Sequence, residues 1–306
     1  MPSSEFSLIA RYFSSLGRGP DVDLSVGDDC AILRLQPNER LATSVDTLVS
    51  GVHFPEDAFP EDLGFRAVAV AVSDLAAMGA RPIGMTLALT LPEADDFWLN
   101  AFSNGLAAAV QAFNIPLIGG DTTRGPLTLT VQVLGALPLD QGLLRSGAVA
   151  GDQVCVSGPL GDAAGALAFM EGSWTPDAKH ADYLWERFYR PLVKIELGRS
   201  LLGVAHAAID ISDGLLADAG HIADASGVGI SIDPALVPQS EALRSHSSPD
   251  QSLLWALTGG DDYELCFTLP AEQATPEGCV RIGEVIAGKG VNCGIDIDTP
   301  TGYRHF

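Results

Sequence analysis

Residues Glu61–Leu91 read EDLGFRAVAVAVSDLAAMGARPIGMTLALTL, and this stretch decides the fold class. Its first part, Glu61–Gly79, reads as a helix. Glu61 and Asp62 suit the positive end of the helix dipole, Ala and Val fill the middle, and Gly79 followed by Pro82 supplies a stop. Ile83–Leu91 then reads as a strand, so a helix feeds directly into a strand. Working outward, Arg40–Asp46 (RLATSVD) reads as a strand that ends in a carboxylate. Glu93–Phe113 is a long helical pattern rich in Ala and Leu. Ile115–Ile118 is a short strand running into Gly119-Gly120-Asp121, and Leu127–Leu137 alternates as a strand should. Strands and helices interleave, which predicts an α/β (α+β) class.

A boundary falls near Pro138–Ser146, so the expected domains are 1–140 and 141–306. In the second half, strands are expected at Gln153–Ser157, Ala207–Ile211, Gly229–Asp233, Glu264–Leu269 and Cys279–Ile286. Helices are expected from Gly161, at Lys194–Ala205 and at Leu215–Ala225. Pro234–Asp250 is rich in Pro and Ser and reads as loop.

Composition narrows the functional classes. The 306 residues carry 39 acids against 17 bases, a formal charge of −22. Only three of the bases are Lys, and none cluster, so phosphate-backbone binding to nucleic acid is not expected. An anionic membrane surface would repel the chain, and no apolar run reaches the ~20 residues a span requires. The five cysteines, Cys30, Cys155, Cys266, Cys279 and Cys293, include no CxxC pair. That pattern suggests neither a disulfide framework nor a zinc site, and fits a reducing cytosol. Met1–Leu16 reads as a short amphipathic helix rather than a signal peptide.

The informative feature is where the carboxylates sit. Asp28-Asp29 follow Gly27, Asp46 ends a strand, and Asp74 lies inside an apolar helix. Asp121 follows two glycines. Asp210 and Asp213 bracket Ile211-Ser212, and Asp261-Asp262 follow Gly259-Gly260. A buried carboxylate is costly unless it is paired or fully hydrogen-bonded, and the chain has too few bases to pair these one by one. A single Asp in a Gly-rich loop is often only a turn or a helix cap. Asp74 resists that reading because it lies within a helix. Taken jointly, the motifs point to a shared divalent cation. Mg²⁺ suits them, being held by a few carboxylates and by substrate phosphates.

Standard phosphate motifs are missing. Gly283–Lys289 begins like a Walker A loop, but Gly290 stands where the metal-binding Ser or Thr should be, so Ala287–Gly290 reads as a hairpin turn. There is no GxGxxG, GxSxG or HExxH. Arg124, Arg145, Arg190 and His53 are the candidate positive groups for an anionic substrate, although an Arg is most often merely a surface residue.

Together the segments EFSLIARYF, GDDCA, DTLVSGVHF, SDLAAMGARP, GGDTTRGPL, RSGA, DISDGL and GGDDYELCFT resemble the thiamine-monophosphate kinase family. They run in order from Glu5 to Thr268, and the terminal GYRHF is similar too. The resemblance implies a two-domain fold shared with aminoimidazole ribonucleotide synthetase and selenophosphate synthetase. In that fold the N-terminal domains pair into a homodimer with a barrel-like sheet, and the C-terminal domain completes the active site. It implies ATP-dependent phosphorylation of thiamine monophosphate to thiamine diphosphate, with several Mg²⁺ ions in place of a P-loop. Carried over residue by residue, the metal ligands are Asp29, Ser44, Val45 through its backbone, Asp46, Asp74, Asp121, Asp210 and Asp213. The ATP contacts are Gly120, Asp121, Arg145 and Ser212, and the substrate contacts are His53, Asp261 and Tyr303. The resemblance assigns catalysis to Asp46, Asp74, Asp121 and Arg145. One departure is visible: the family commonly has Gly-Gly-Glu-Asp where this chain has Gly259-Gly260-Asp261-Asp262. Other readings of the same acids are a sibling ATP-dependent enzyme, a metal-dependent phosphohydrolase and a non-enzymatic cation binder.

Overall fold

The computed structural model describes residues 5–295, and the chain divides into two compact units. The first runs to Leu75 and includes Ala80–Asp140; the second takes Ala76–Gly79 and the chain from Gln141 onward.

The first unit begins with α1 (Glu5–Tyr12), β1 (Val22–Leu24), β2 (Ile32–Leu33) and β3 (Glu39–Val49). It continues with α2 (Pro60–Met78), β4 (Arg81–Leu91), α3 (Asp96–Phe113), β5 (Leu117–Arg124) and β6 (Thr128–Pro138). Its main sheet has the order β3-β6-β4-β5, antiparallel except for the β4–β5 pair. The expected period of two is plain: Met85, Leu87, Leu89, Leu129, Val131 and Val133 are buried on one face. The other face is left open, with Leu41 and Val45 exposed on β3. Helix α2 lies on the buried face, where Leu75 meets the backbone of Gly135. Gly105 lets α2 and α3 touch through their backbones, since a Cβ there would lie 1.8 Å from the Glu61 carbonyl oxygen.

The second unit opens with β7 (Gln153–Val156), α4 (Asp162–Met170), α5 (Ala178–Tyr189) and α6 (Ile195–Ser200). Next come β8 (Ala207–Asp210), α7 (Leu215–Ser226), β9 (Gly229–Ile232), α8 (Glu241–His246) and α9 (Pro249–Thr258). It ends with β10 (Leu265–Leu269), β11 (Val280–Ile286) and β12 (Gly290–Asn292). The sheet order is β12-β9-β11-β7-β10-β8. Val154, Val156, Ile209 and Ile230 pack on one face, and Cys155, Ala208, Leu265 and Phe267 on the other. Strands covered on both faces are mostly apolar: β7, β8 and β10 are buried at every position and carry one polar residue each, Gln153, Asp210 and Thr268.

Four expectations need correction. Pro234–Asp250 is not loop: it holds a 3₁₀ turn at Pro234–Leu236, all of α8 and the start of α9. Ala287–Gly290 does not close a hairpin, because β12 pairs in parallel with β9, which itself lies between β11 and β12. Asp46 does not end its strand and Asp121 does not follow its own: they lie within β3 and β5.

Candidate active site

In the first unit, β3 and α2 bring three of the expected metal ligands to one place. The Ser44 hydroxyl donates to Asp74 Oδ2. Asp46, two residues along β3, shares the face of Ser44, as the pairings Ser44–Val133 and Asp46–Val131 require. Val45 points the other way and is 60 % exposed. Asp121 is set apart. It pairs with Ala88 on the open face, together with Thr123, whose hydroxyl lies 3.0 Å from that of Thr90. Strands β3 and β5 form opposite edges of the sheet, three strand spacings apart, or about 14 Å at ~4.8 Å each. One chain therefore gathers Ser44, Asp46 and Asp74 and holds Asp121 across the sheet.

Gly120 has no substitute in this arrangement. Its φ is +153°, and a Cβ would lie 1.9 Å from the Leu87 carbonyl oxygen. Asp29 is exposed in a turn, where its N–H donates to Asp28 Oδ1 at 2.8 Å. His53 sits in the turn after β3, and its Nδ1 accepts from the Val49 N–H at 3.0 Å. That bond leaves Nε2 to carry the proton in the neutral ring and makes it a donor. Arg124 donates through Nε to the Pro92 carbonyl at 3.2 Å, an ordinary contact at the sheet edge.

In the second unit, DISDGL and GGDDYEL are laced together by backbone bonds. The Asp261 N–H donates to the Ser212 carbonyl and the Tyr263 N–H to the Ile211 carbonyl, both at 2.9 Å. The strain of the crossing shows in the backbone, since Asp261 and Tyr263 have φ of +68° and +52°. The Tyr263 hydroxyl donates to Asp261 Oδ1 at 2.8 Å. The loop from Ser212 to Gly214 hangs on a residue the sequence reading missed. Asp218 Oδ2 accepts the N–H groups of Ser212, Asp213 and Gly214 at 3.1, 3.0 and 3.1 Å. Burial pushes the Asp218 carboxyl up to about 7 against the pull of these N–H groups. A carboxylate four residues past Asp-Gly at a helix start is the signal that could have found it.

The two acids of the GGDD motif separate. Asp262 turns inward and caps α4, accepting from the N–H groups of Gly161 at 2.6 Å and Ala163 at 3.3 Å. Burial raises its carboxyl to about 8, with Gly161 and Arg187 pulling the other way. Next to it, Glu264 accepts from the Ser157 hydroxyl, from Arg187 at 3.0 Å and from Lys194 at 3.2 Å. Arg187 also pairs with Asp162 at 3.4 Å. This network, too, was not anticipated, because its members lie far apart in sequence. Arg145 is exposed on a loop held by Ser226 at the end of α7. Ser226 Oγ accepts from the N–H groups of Gly147 and Ala148 at 3.1 Å and donates to the Arg145 carbonyl at 3.3 Å. Asp210 is buried at the end of β8, and Asp213 is half-buried. Tyr303 lies outside the described residues. In each unit the side chains expected to bind metal offer hydroxyl and carboxylate oxygens, a donor set that suits Mg²⁺ rather than a softer ion.

A two-domain sequence profile fits this architecture. Residues 27–137 match the N-terminal domain of AIR synthase related proteins, and residues 149–296 match the C-terminal domain. Both units thus fall in that class of protein. The thiamine-monophosphate kinase of Escherichia coli K12 is 51 % identical over 272 residues, covering 88 % of this chain and 84 % of its own. The crystal structure of the Stenotrophomonas maltophilia thiamine-monophosphate kinase is 45 % identical, covers 96 % of this chain and 98 % of its own, and superposes with a TM-score of 0.88. A structure of AaThiL complexed with AMPPCP and TMP is 33 % identical over 92 % of each chain, with a TM-score of 0.82. The chain belongs to the thiamine-monophosphate kinase family.

Proposed function

We propose that this chain is an ATP-dependent kinase that phosphorylates thiamine monophosphate to thiamine diphosphate. The observation that carries the reading is the Ser44–Asp74 pair: a carboxylate in mid-helix, on the buried side of a sheet, beside a second carboxylate at Asp46. The relatives supply the substrate class, since one of them is held with an ATP analogue and TMP.

The chemistry is in-line transfer. A phosphate oxygen of thiamine monophosphate forms the new bond to the γ-phosphorus of ATP, and the bond from that phosphorus to the β–γ bridging oxygen breaks, releasing ADP. The attacking oxygen is already ionised, so positioning and charge neutralisation do the catalytic work. Asp29, Ser44, the Val45 carbonyl, Asp46, Asp74, Asp121, Asp210 and Asp213 would hold Mg²⁺, which supplies neutralisation of the phosphate charge. Gly120 lets the backbone approach the nucleotide. Arg145 contributes a fixed positive charge and Ser212 a hydroxyl. His53 donates its Nε2–H toward the substrate phosphate. Asp261, oriented by Tyr263, faces the thiazolium cation, and Tyr303 is assigned to the same substrate.

The reading includes a homodimer. The open face of the first sheet, with Leu41 50 % and Val45 60 % exposed, is the surface a second copy would close into a barrel. It also includes a cytosolic setting, which the five unpaired cysteines suit. Among the described residues, no helix is long and apolar enough to cross a membrane. The test is incubation with Mg-ATP and thiamine monophosphate, followed by separation of products. Thiamine diphosphate and ADP in equal amounts are expected from the native chain and none from Asp74→Asn, which keeps an acceptor for the Ser44 hydroxyl. Inorganic phosphate without thiamine diphosphate would replace this reading by the phosphohydrolase.

A further inference from the structure

We propose that Asp177, His180 and His246 form a binding site for a divalent transition-metal ion of the zinc type, remote in sequence from the Mg²⁺ motifs. Three donor atoms converge: His180 Nδ1 lies 2.8 Å from His246 Nε2 and 3.1 Å from Asp177 Oδ2, and His246 Nε2 lies 3.3 Å from the same carboxylate oxygen. Ligands about 2.0–2.1 Å from a tetrahedral ion stand about 3.3 Å apart, so the triangle opens by only a few tenths of an ångström to accept one.

The local sequence builds this triangle. Asp177 is the N-cap of α5, and its Oδ1 accepts the His180 N–H at 2.9 Å. The cap occupies one carboxylate oxygen and turns the other toward the imidazoles. His180, three residues on, stands over the same end of the helix, while His246 comes from the last position of α8. The site is partly enclosed, with the His180 side chain 12 % exposed, His246 23 % and Asp177 54 %. Trp174 stands 6.4 Å from the His246 ring and Trp255 lies tilted beyond it at 5.4 Å, which walls one side, while the exposed Asp177 leaves the other open to solvent.

Hydrogen bonding alone serves this geometry poorly. With both imidazoles neutral only one proton can lie on the short contact, so a ring–carboxylate bond as well would require one ring to take up a second proton, which a metal ion makes unnecessary. On the far side of the ring, His180 Nε2 is buried and meets no hydrogen-bond partner among the described residues, so no group there selects a tautomer. A metal on Nδ1 would fix the proton on Nε2. Two imidazoles and one carboxylate select Zn²⁺, Co²⁺ or Ni²⁺ over the oxygen-seeking Mg²⁺. The bound ion would clip the start of α5 to the end of α8. Helix α5 carries Arg187, the partner of Glu264 and Asp162, so the clip would reinforce the buried network of the second unit.

The test uses the untagged full-length chain, stripped with a chelator and kept in excess Mg²⁺ to fill oxygen-donor sites. Co²⁺ is titrated while the visible absorption of the ion, the tryptophan fluorescence and the melting temperature are followed. One equivalent should bind, give the intense bands of a tetrahedral ion, change the Trp174 emission and raise the melting temperature. His246→Gln and Asp177→Asn should each weaken this binding by more than the ~10–100-fold that loss of an outer-shell partner costs. Asp177→Asn keeps an oxygen to cap α5, so it separates loss of the ligand from loss of the helix. No binding above the Mg²⁺-saturated background would overturn the proposal, as would equal Co²⁺ binding in all three proteins. Kinase activity in Mg²⁺ alone should be the same in the three, which keeps this result distinct from any failure of the kinase reading.

Discussion

Replacing Asp218 with Ala tests whether the Ser212–Gly214 loop is held from beneath. Three amide N–H groups end on one Asp218 oxygen at 3.0–3.1 Å, and Asp218 itself is 2 % exposed, so water does not readily take its place. Leaving three N–H groups without an acceptor, one of them buried and two part-buried, costs about 1 kcal/mol each, or at most about 3 kcal/mol in all. For a domain of this size that is a fall in melting temperature of about 6–12 °C. The functional effect should be larger than the stability effect. In the proposed function Ser212 serves ATP and Asp213 the metal, and a displacement of about 1 Å in such groups costs about 100-fold in rate. The assay is steady-state formation of thiamine diphosphate in Mg-ATP, run beside thermal melts. Asp218→Asn is the control, because its amide oxygen still accepts, so it should keep most of both stability and activity. Asp218→Ala with native melting and turnover within twofold would refute the reasoning. So would Asp218→Asn as damaged as Asp218→Ala, since that would make the charge, rather than the acceptor, the working feature.

Two further outcomes follow from the same geometry. Gly120→Ala places a Cβ 1.9 Å from the Leu87 carbonyl oxygen at a φ of +153°, so β5 must shift away from β4; a loss of about 3 kcal/mol, the upper end for overpacking, is expected in a denaturant melt of the whole chain. Asp262 has a folded-state carboxyl near 8 against an unfolded 3.8, so folding takes up a proton between these values. Its contribution to stability is full below about 3.8 and is lost as pH rises through about 8, and Asp262→Asn should remove that component from stability measured across this window.

Features set by a local pattern are legible in the sequence, and those that depend on distant partners are not. Helix α2 is legible because acids, an apolar middle and a glycine stop lie within one stretch, and that stretch contains Asp74. The short helices α8 and α9 were hidden because six and ten residues give too little periodicity. The Ser residues that made the region look like loop are their caps, Ser240 accepting from the Leu243 N–H and Ser248 from the Gln251 N–H. The Ala287–Gly290 turn has good hairpin residues, but β9 takes the place beside β11 through a pairing about fifty residues away. The site shows the same division. The candidate acids are marked by their motifs, whereas the groups that hold their loops and the Arg145 loop in place, Asp218, Tyr263 and Ser226, are visible only once strands and loops are assembled. Ser226 clamps the Arg145 loop from 79 residues away.

The distribution of charge leads to a last expectation about ATP itself. The chain carries −22, and several of its cations are engaged in the fold: Arg81 reaches Asp21 and Glu39, while Arg187 and Lys194 reach Glu264. Asp74 is met by a neutral hydroxyl and Asp218 by amides. Arg145 is one exposed guanidinium, too little to offset a triphosphate arriving at a surface rich in carboxylates. The nucleotide should therefore bind as its metal complex. Calorimetric titration with a non-hydrolysable ATP analogue should show binding in Mg²⁺ and at least a tenfold weaker interaction in EDTA, and Asp74→Asn should narrow that difference by weakening the Mg²⁺ arm. A protein that takes up free ATP as well as Mg-ATP would have its positive groups elsewhere, and the acids gathered around Asp74 would then need a different explanation.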